Sequence, residues 1–371
     1  MRAGARLTGR EDFMGHERAD GSRTIRMARR TFMTAAPVLL AAGTSGAWAQ
    51  APTIVRVGVL NSLSEIIIFV AMEKGYFKEE GLDIKLERFS NTADMIAPLS
   101  SGQIDVASGA PTLGLFNGSL RGLPLKLVAD KGRNSKGHGF NAIVVRKDLV
   151  ESGKVKSAAD LKGLRIATAS RHSPMEQQLE MALQKVGLSN KDVEIQNLDF
   201  PDMITALDNK AVDGALMIEP FVAIAAKRGV GVRFMGVDDI APDFQIAGVI
   251  YGPDFVVKQP EAAKRWMVAY VRAIRDYLAA VGSKAGKDKL IVVLKKYASG
   301  TTDASVLENA VFPGFDPDGY LNLKTIEASI DWYATRGLLK AKPKLTDLAD
   351  YQYLNYALER LGRRERAQKV Q

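Results

Sequence analysis

The chain has 371 residues, no cysteine, three histidines and a formal net charge of +9. Single hydrophobic cores stop growing below this length, so the length predicts two lobes. The lack of cysteine excludes disulfides, thiolate zinc sites and a cysteine nucleophile. The histidines stand far apart, at His16, His138 and His172. We therefore expect no histidine metal site, no catalytic triad and no cofactor.

The net charge does not predict a nucleic-acid partner. Residues 1–49 contain eight arginines and four acidic residues, which account for +4 of the net charge and leave +5 for the rest. In that remainder lysines and acidic residues are interspersed, and several stand side by side, as in Glu73-Lys74 and Lys147-Asp148. Such a mixture is typical of a solvated surface, whereas nucleic-acid binding needs a stripe of positive charge. We therefore expect no nucleic acid among the partners.

Residues 27–49 have the three parts of a secretory signal peptide. A basic start is followed by an apolar stretch over residues 34–42 and then by Ala47-Trp48-Ala49. The apolar stretch is shorter than the about 20 residues that a membrane-spanning helix needs. The sequence thus predicts an exported, periplasmic protein, cleaved near Ala49, whose mature chain begins near Gln50. The pair Arg29-Arg30 also resembles a twin-arginine signal, and both that route and the general secretory route stay open.

From residue 54 to residue 251, strand-like and helix-like runs alternate. β-branched or alternating runs predict strands at residues 54–60, 82–88, 105–108, 125–129, 142–146, 164–168, 193–198, 215–218, 232–235 and 248–251. Apolar periodicity predicts helices at residues 65–74, 94–99, 112–120, 175–186, 203–209 and 222–227. Because strands and helices alternate with short connections, the predicted fold class is α/β, with open, mostly parallel sheets covered by helices.

Beyond residue 251 the pattern is helical, with almost no strand signal. Amphipathic spacing predicts helices at residues 261–281, 287–297, 304–310, 325–335 and 345–361. Trp266, Tyr270, Ile274 and Tyr277 recur at three- and four-residue steps, so they share one face of the first of these helices. We interpret this face as hydrophobic core; an aromatic ligand site is the alternative.

Four phrases of the sequence carry a resemblance to a known family. They are Glu73–Ile84 (EKGYFKEEGLDI), Ser100–Ala107 (SSGQIDVA), Ala159–Ala167 (ADLKGLRIA), and Val212–Ala215 (VDGA) with Glu219-Pro220-Phe221 after it. In order and spacing, the stretch from about Val55 to about Leu339 resembles the nitrate/sulfonate/taurine-type substrate-binding proteins of ABC importers.

The resemblance implies a two-lobed periplasmic-binding-protein architecture of the type-II-like, or Venus-flytrap, kind with a helical C-terminal extension. Lobe one would comprise residues 50–136 and 248–371, and lobe two residues 137–247. Residues 1–49 would be the upstream segment and the signal peptide. The chain would cross between the lobes near Gly137–Asn141 and near Gln245–Gly248.

The same resemblance implies a periplasmic solute-binding subunit that captures a small organic solute by closure of the lobes. It would be a monomer whose partners are a small-molecule ligand, an ABC permease and a separate ATPase subunit. It would meet the membrane only through the permease. A ligand-sensing partner of a membrane receptor is an alternative role.

Ligands of open α/β sheets collect outside the carboxyl ends of the strands, where loops lead into helices. The free N–H groups of helix N-termini bind anions there. Family members use these loops, and the resemblance carries the role to the matching positions of this chain. The candidate ligand-binding residues are Asn61, Ser62, Asn91, Ser108, Gly109, Thr112, Arg171, Ser173 and Glu219. Asn91, Ser108 and Ser173 have an alternative reading as plain helix N-caps.

The candidate residues favour an organic anion such as a sulfonate or an aromatic carboxylate. Arg171 stands in a serine-rich loop before a helix, where a guanidinium can bind a carboxylate or sulfonate with two hydrogen bonds. Glu219 opposes this reading, because a carboxylate repels an anion unless it pairs with Arg171 or accepts from a ligand N–H. The loop Ser173-Pro174 also differs from the all-small loops of sulfonate binders. A thiamine-pyrimidine-like heterocycle therefore stays an alternative.

An enzyme of the same fold is the rival class. The thiamine-pyrimidine synthases of fungi share this fold, but their active site is rich in cysteine and histidine, and this chain has no cysteine. No nucleophile stands beside a base, and no glycine-rich phosphate motif is present. We therefore expect a binding protein rather than an enzyme, with ATP handled by a separate subunit.

Overall fold

The computed structural model describes residues 51–298 and 303–364. The predicted signal peptide and its upstream segment lie outside the described residues. The described strands are β1 (Thr53–Val59), β2 (Leu82–Arg88), β3 (Val106–Gly109), β4 (Lys126–Asn134), β5 (Asn141–Arg146), β6 (Arg165–Thr168), β7 (Glu194–Asn197), β8 (Gly214–Ile218), β9 (Gly231–Gly236) and β10 (Phe244–Tyr251). Each predicted strand is present, and most differ from the prediction by one or two residues.

Helices connect the strands and then form the C-terminal part. They are α1 (Ile66–Glu73), α2 (Tyr76–Glu79), α3 (Ala93–Ser100), α4 (Leu113–Leu120), α5 (Lys147–Glu151), α6 (Pro174–Gln184), α7 (Phe200–Asp208), α8 (Phe221–Lys227), α9 (Val237–Ile240), α10 (Pro253–Lys258), α11 (Pro260–Val281), α12 (Lys284–Tyr297), α13 (Ala304–Asn309), α14 (Leu323–Thr335), α15 (Leu345–Leu348) and α16 (Gln352–Leu361). The predicted helical extension is therefore present, although the helix predicted at 345–361 is two helices.

The strands form two five-stranded sheets with the same topology. The first has the order β2-β1-β3-β10-β4 and the second the order β7-β6-β8-β5-β9. In the first sheet β10 is antiparallel to both of its neighbours, and in the second β5 is. The other four strands of each sheet run in one direction, so the expected α/β fold with mostly parallel sheets is confirmed.

The break between α15 and α16 has a tertiary cause. Ala349 leaves the helical conformation and forms a parallel bridge with Leu127 of β4. The next residue, Asp350, donates its backbone N–H to the carbonyl of Leu127 at 2.9 Å. The periodicity of residues 345–361 does not predict this contact, because the strand that pairs with Ala349 lies more than two hundred positions earlier in the chain.

The aromatic face of α11 is hydrophobic core, as interpreted from its spacing. Trp266, Tyr270, Ile274 and Tyr277 are fully buried. The two tyrosine hydroxyls donate to backbone carbonyls, Tyr270 to Asp130 at 2.9 Å and Tyr277 to Pro313 at 2.6 Å. Buried tyrosines need such partners, and here they fix α11 against the first sheet and the C-terminal segment.

The second crossing between the sheets lies earlier than the sequence suggested. Strand β10 begins at Phe244, which is paired with Asn134 of β4, so residues 244–247 already belong to the first sheet. The predicted boundary between residues 247 and 248 therefore falls inside a strand. The side chains explain the error: Phe244 and Ile246 pack in the hydrophobic core of the second sheet while their backbone pairs in the first. The first crossing joins β4 to β5 through residues 135–140.

Candidate functional site

A cavity lies between the two sheets at the carboxyl ends of their parallel strands. The loops after β1, β2, β3 and β6 all contribute lining residues, as expected for an open α/β arrangement. The volume open to the centres of water-sized molecules is about 60 Å³. Its polar lining residues are Ser62, Ser64, Asn91, Thr92, Thr112, Lys131, Ser170 and Ser173. The space therefore suits a compact solute, and we call it the inner cavity.

Three helices begin at the inner cavity. Thr92 is the N-cap of α3, Thr112 that of α4 and Ser173 that of α6. The Ser173 hydroxyl accepts from the backbone N–H of Glu176 at 3.4 Å. The first N–H groups of a helix lack partners within it and carry partial positive charge. Three such ends at one cavity favour a negatively charged occupant.

A buried ion pair forms one wall of the inner cavity. The Lys131 ammonium is 2.8 Å from the Glu65 carboxylate, and both side chains are almost completely buried. Glu65 also accepts from the backbone N–H of Leu60 at 2.9 Å and from the Ser108 hydroxyl at 2.6 Å. Lys131 lines the cavity and Glu65 does not. An ammonium has three donors, so after its bond to Glu65 it keeps donors for a ligand.

The Thr112 hydroxyl has no hydrogen-bond partner among the residues that the structure describes. Its oxygen is buried, and the residue is only 6% exposed. A buried hydroxyl without a partner is destabilising and rare in folded proteins. Because Thr112 lines the inner cavity, a bound solute can supply the missing partner.

Gly109 allows two polar loops to approach each other closely. A Cβ atom at this position would stand 2.4 Å from Thr92 Cγ2 and 2.7 Å from Thr92 Oγ1. The Thr92 hydroxyl accepts from the backbone N–H of Ala110 at 3.1 Å. Glycine is thus needed here so that the loop after β3 can bind the start of α3.

The rest of the inner cavity is apolar. Its lining residues of this kind include Leu60, Phe140, Pro174, Met175, Phe200, Ile218 and Ile246. Most of them belong to the segment of residues 137–247. No lining residue in the described part of the chain is an aspartate, glutamate, histidine or cysteine. The cavity therefore combines hydrogen-bond donors on one side with a hydrocarbon surface on the other.

Five of the nine candidate residues line the inner cavity. They are Ser62, Asn91, Gly109, Thr112 and Ser173. Asn91 is also engaged in its own loop, where its amide donates to the Asp94 carboxylate at 2.9 Å. The structure thus brings together residues from four separate loops, and their contact with a solute stays a prediction.

The other four candidates lie elsewhere. Asn61 lines a neighbouring crevice, and Ser108 lies behind the wall, where its hydroxyl donates to Glu65. Arg171 is exposed and outside the lining. The flanking Ser170 and Ser173 line the cavity, and between them His172 has a left-handed φ of 51°. The fourth candidate, Glu219, lines a different crevice.

Glu219 lies at a contact between the two halves of the molecule. Its carboxylate accepts from the backbone N–H groups of Ala223 at 3.1 Å and Val311 at 3.2 Å. The Arg233 guanidinium is 3.6 Å away. Burial raises the pKa of Glu219 to about 7, against the opposing effect of these donors. Of the two conditions under which the sequence analysis allowed Glu219 beside an anion, a pair with Arg171 is not formed among the described residues, and the cation beside Glu219 is Arg233.

A second contact holds α6 to the C-terminal helices. The Glu180 carboxylate accepts from the Trp332 indole at 2.7 Å and forms an ion pair with Arg336. The Arg336 guanidinium also stacks on the Trp332 ring, 4.1 Å from its centre. Because α6 starts at the inner cavity, this contact fixes the cavity wall that α6 provides.

Lys131 is the main residue that sequence reasoning missed. The strand prediction for residues 125–129 stopped before it, because Asp130-Lys131 resembles a polar turn. In the structure β4 continues to Asn134 and buries both charges. A lysine in the interior of a strand needs a carboxylate, but Glu65 is 66 positions away, so the pair has no local signature.

No group of three or more potential metal ligands occurs among the described residues. None of the helices in that part of the chain is both long and apolar enough to cross a membrane.

The chain is similar to several known proteins. A protein bearing the name putative binding protein, from Brucella abortus, is 26% identical over 340 residues, which cover 88% of this chain and 99% of that protein. The taurine-binding periplasmic protein of Escherichia coli is 27% identical over 214 residues, covering 55% of this chain and 60% of its own. An enzyme is also similar: the 4-amino-5-hydroxymethyl-2-methylpyrimidine phosphate synthase THI11 of Saccharomyces cerevisiae is 24% identical over 234 residues, covering 60% and 66%.

Solved structures share the fold at low sequence identity. The ligand-binding component of an ABC-type import system from Staphylococcus aureus has a TM-score of 0.69 at 16% identity, covering 82% of this chain and 99% of that one. The alkanesulfonate-binding protein of Xanthomonas axonopodis bound to MOPS has a TM-score of 0.64 at 18% identity, covering 81% and 99%. The expected resemblance to sulfonate- and nitrate-type binding proteins is thus confirmed in the fold. The model of the family described as NMT1/THI5 like matches residues 63–280, more than half of the sequence, and the chain therefore belongs to that family.

Proposed function

We propose that this protein is a solute-binding subunit of an ABC importer and that it holds a small organic anion in the inner cavity. The observation that carries the proposal is the lining itself: Lys131 and the N-caps of three helices line the cavity, and no carboxylate of the described residues does. A cation placed there would meet positive charge without compensation.

The charge balance of the site supports an anion rather than a neutral solute. Lys131 and Glu65 form a pair whose net charge is zero, so the pair alone creates no strong field. The three helix N-termini add partial positive charge at the cavity, where little water screens it. The unpartnered hydroxyl of Thr112 and the remaining donors of Lys131 then supply hydrogen bonds to an oxyanion.

The apolar lining supports an organic solute rather than an inorganic one. Phe140, Met175 and Ile218 present hydrocarbon surface opposite the donors. Each methylene group of the solute that moves from water to such a surface contributes about 0.8 kcal/mol to the free energy of binding. A sulfonate or carboxylate with a short hydrocarbon part fits this division of the cavity. A neutral thiamine-pyrimidine-like heterocycle is the second candidate, because a pyrimidine phosphate synthase is among the similar proteins.

The import role rests on similarity and on the chemistry of the lining. A taurine-binding periplasmic protein is among the relatives, and a component of an ABC-type import system shares the fold. The lining side chains of the described chain offer no carboxylate, imidazole or thiol as a catalytic base or nucleophile. We infer a monomeric periplasmic binding protein that delivers its solute to a permease with a separate ATPase subunit.

Calorimetry with matched pairs of compounds tests the proposal. Ethanesulfonate is compared with ethanesulfonamide, and benzoate with benzamide, because each pair differs in charge and little in shape. We expect the anion of at least one pair to bind about tenfold or more tightly than its neutral partner. Equal affinities, or tighter binding of a neutral aminopyrimidine, would contradict the anion proposal. Uptake of the radiolabelled solute by cells that lack the gene tests the import role, which predicts that uptake is lost.

A further inference from the structure

The aromatic side chain of Phe200 lines both the inner cavity and a larger space beside it. This second space, which we call the outer crevice, is lined by Arg88 and Phe89 on one side and by Asp199, Pro201 and Phe221 on the other. The volume available to the centres of water-sized molecules is about 350 Å³ in the outer crevice and about 60 Å³ in the inner cavity.

The position of the Phe200 ring is fixed by its surroundings. Phe200 is the first residue of α7, directly before Pro201, whose ring restricts the backbone there. Its side chain is 5% exposed and stacks on Phe221, with ring centres 5.5 Å apart and planes 20° apart. A ring held by a stacking partner and a buried core does not leave its place without cost.

We propose that Phe200 is the partition that sets the length of the solute, an inference that rests on the proposed function. The anionic group meets the donors around Lys131 and Thr112, and the hydrocarbon part then extends toward the opposite, apolar wall. Phe200 ends the space available to that part. Beyond the ring, the outer crevice offers the apolar surfaces of Phe89, Pro201 and Phe221. Loss of the ring joins the two spaces, so that a longer chain can pass into the crevice.

The charges of the outer crevice do not make it a second site for an anionic group. Asp199 and Asp202 line it together with Arg88. The Arg88 guanidinium already donates to the carbonyl of Tyr297 at 2.5 Å. Two carboxylates beside one engaged guanidinium disfavour an oxyanion, so the crevice suits the hydrocarbon end of the solute rather than its charged end.

The experiment compares chain-length profiles of the wild type and Phe200→Ala. Ethane-, butane- and hexanesulfonate and the three corresponding sulfonamides are titrated against both proteins by calorimetry. Each additional methylene that becomes buried raises affinity about fourfold. In the wild type we expect affinity to fall from ethanesulfonate to hexanesulfonate. In Phe200→Ala we expect the ratio of hexanesulfonate to ethanesulfonate affinity to rise at least about tenfold.

Leu207→Ala is the matched control. Leu207 lies on the same helix and in the same core, is 2% exposed and lines neither space. Its truncation loosens the same core, so an effect of general destabilisation would appear in this variant too. Phe200→Leu keeps a smaller partition and is expected to give an intermediate profile, provided that its melting temperature matches that of the wild type.

The sulfonamide series separates this inference from the proposed function. Suppose that sulfonates and sulfonamides bind equally tightly, and that Phe200→Ala raises the affinity for the hexane compound relative to the ethane compound in both series. The anion proposal then fails, and the proposal that Phe200 limits solute length stands. If the wild type prefers sulfonates and Phe200→Ala leaves the profile unchanged, the partition is overturned while the anion proposal stands. A lengthened profile in Leu207→Ala, or no binding by any compound to either protein, would also overturn the partition.

Discussion

The two sheets have the same strand order, yet the walls that they give to the inner cavity differ in chemistry. Strand β4 of the first sheet contributes Lys131, and the loops of that sheet contribute Thr112 and Thr92; all three residues are polar and buried. The second sheet and its helices contribute mainly hydrocarbon, such as Met175 and Ile218, with Ser170 and Ser173 as the polar lining residues of that side in the described chain. Under the proposed function, the first wall would bind the charged group and the second wall would enclose the rest of the solute.

The largest effect is expected when the positive charge of the first wall is removed, which tests whether that wall binds the anionic group. Lys131→Met should weaken binding of the preferred anion by about 2–5 kcal/mol, or roughly 30-fold or more, because an ionic hydrogen-bond donor is lost. It should also lower the free energy of unfolding by about 3–5 kcal/mol, since Glu65 would stay buried without its cation. Calorimetry and urea unfolding measure the two effects.

A double variant separates the two effects. In Lys131→Met with Glu65→Gln, the buried carboxylate is gone, so most of the stability should return while the affinity stays low. If affinity returned together with stability, Lys131 would act by holding the wall in place rather than by binding the solute.

The contact made by Glu219 predicts a pH dependence of stability. Its pKa is raised from the usual 4.5 to about 7 in the folded chain, so the folded protein holds this proton more tightly than the unfolded chain does. The resulting stabilisation is complete below about pH 4.5 and is lost as the pH rises through about 7. Relative to Glu219→Gln, the wild type should lose on the order of 3 kcal/mol between pH 4.5 and pH 8. Parallel pH profiles in urea unfolding would contradict the raised pKa.

Truncation of the second wall should leave charge discrimination intact. Met175→Ala removes hydrocarbon from the lining, so sulfonate and sulfonamide should both bind about 4- to 15-fold more weakly, the worth of one or two buried methylene groups. Their ratio should stay as in the wild type. A changed ratio of sulfonate to sulfonamide affinity in calorimetry would show that the second wall also contributes to charge discrimination. It would contradict the proposed difference in role between the two walls.

The smallest effect is expected at Arg171. Its side chain is exposed and outside the lining, so Arg171→Ala should bind the preferred anion within about threefold of the wild type, a difference under 1 kcal/mol. Isothermal titration at low ionic strength is the stringent measurement, because long-range attraction is greatest there. A loss of affinity of 30-fold or more would instead support the sequence-based expectation that this guanidinium binds the solute.

The sequence predicts the fold well because local patterns determine it. Strand β2 has the bounds that its alternation predicts, and α11 differs by one residue at its start. The loops around Ser62, Gly109 and Ser173 are predictable too, since strand ends and helix starts fix where they lie. Family phrases such as Glu73–Ile84 identify the relatives before any coordinate is seen.

The identity of the charged residues at the site is less predictable. Lys131 and Glu65 form an ion pair although they are 66 positions apart in the sequence. Glu219 accepts a hydrogen bond from the backbone of Val311, which belongs to the C-terminal part of the chain. Arg171 is exposed although Ser170 and Ser173 of the same loop line the cavity, and the composition of the loop does not show which of its residues turns outward. Burial of a charge is decided by its distant partner, and the sequence around the charge does not show which partner that is.

Strand β10 has a consequence for how the protein unfolds. Its backbone completes the first sheet, but the side chains of Phe244 and Ile246 fill the core of the second. Melting of either core therefore exposes groups that the other needs, so both should melt in one cooperative step rather than in two. Excised fragments that divide the chain beside this strand should each lack part of their interior and fail to fold alone. The amides of residues 244–251 should accordingly be among the last to exchange their hydrogens with solvent.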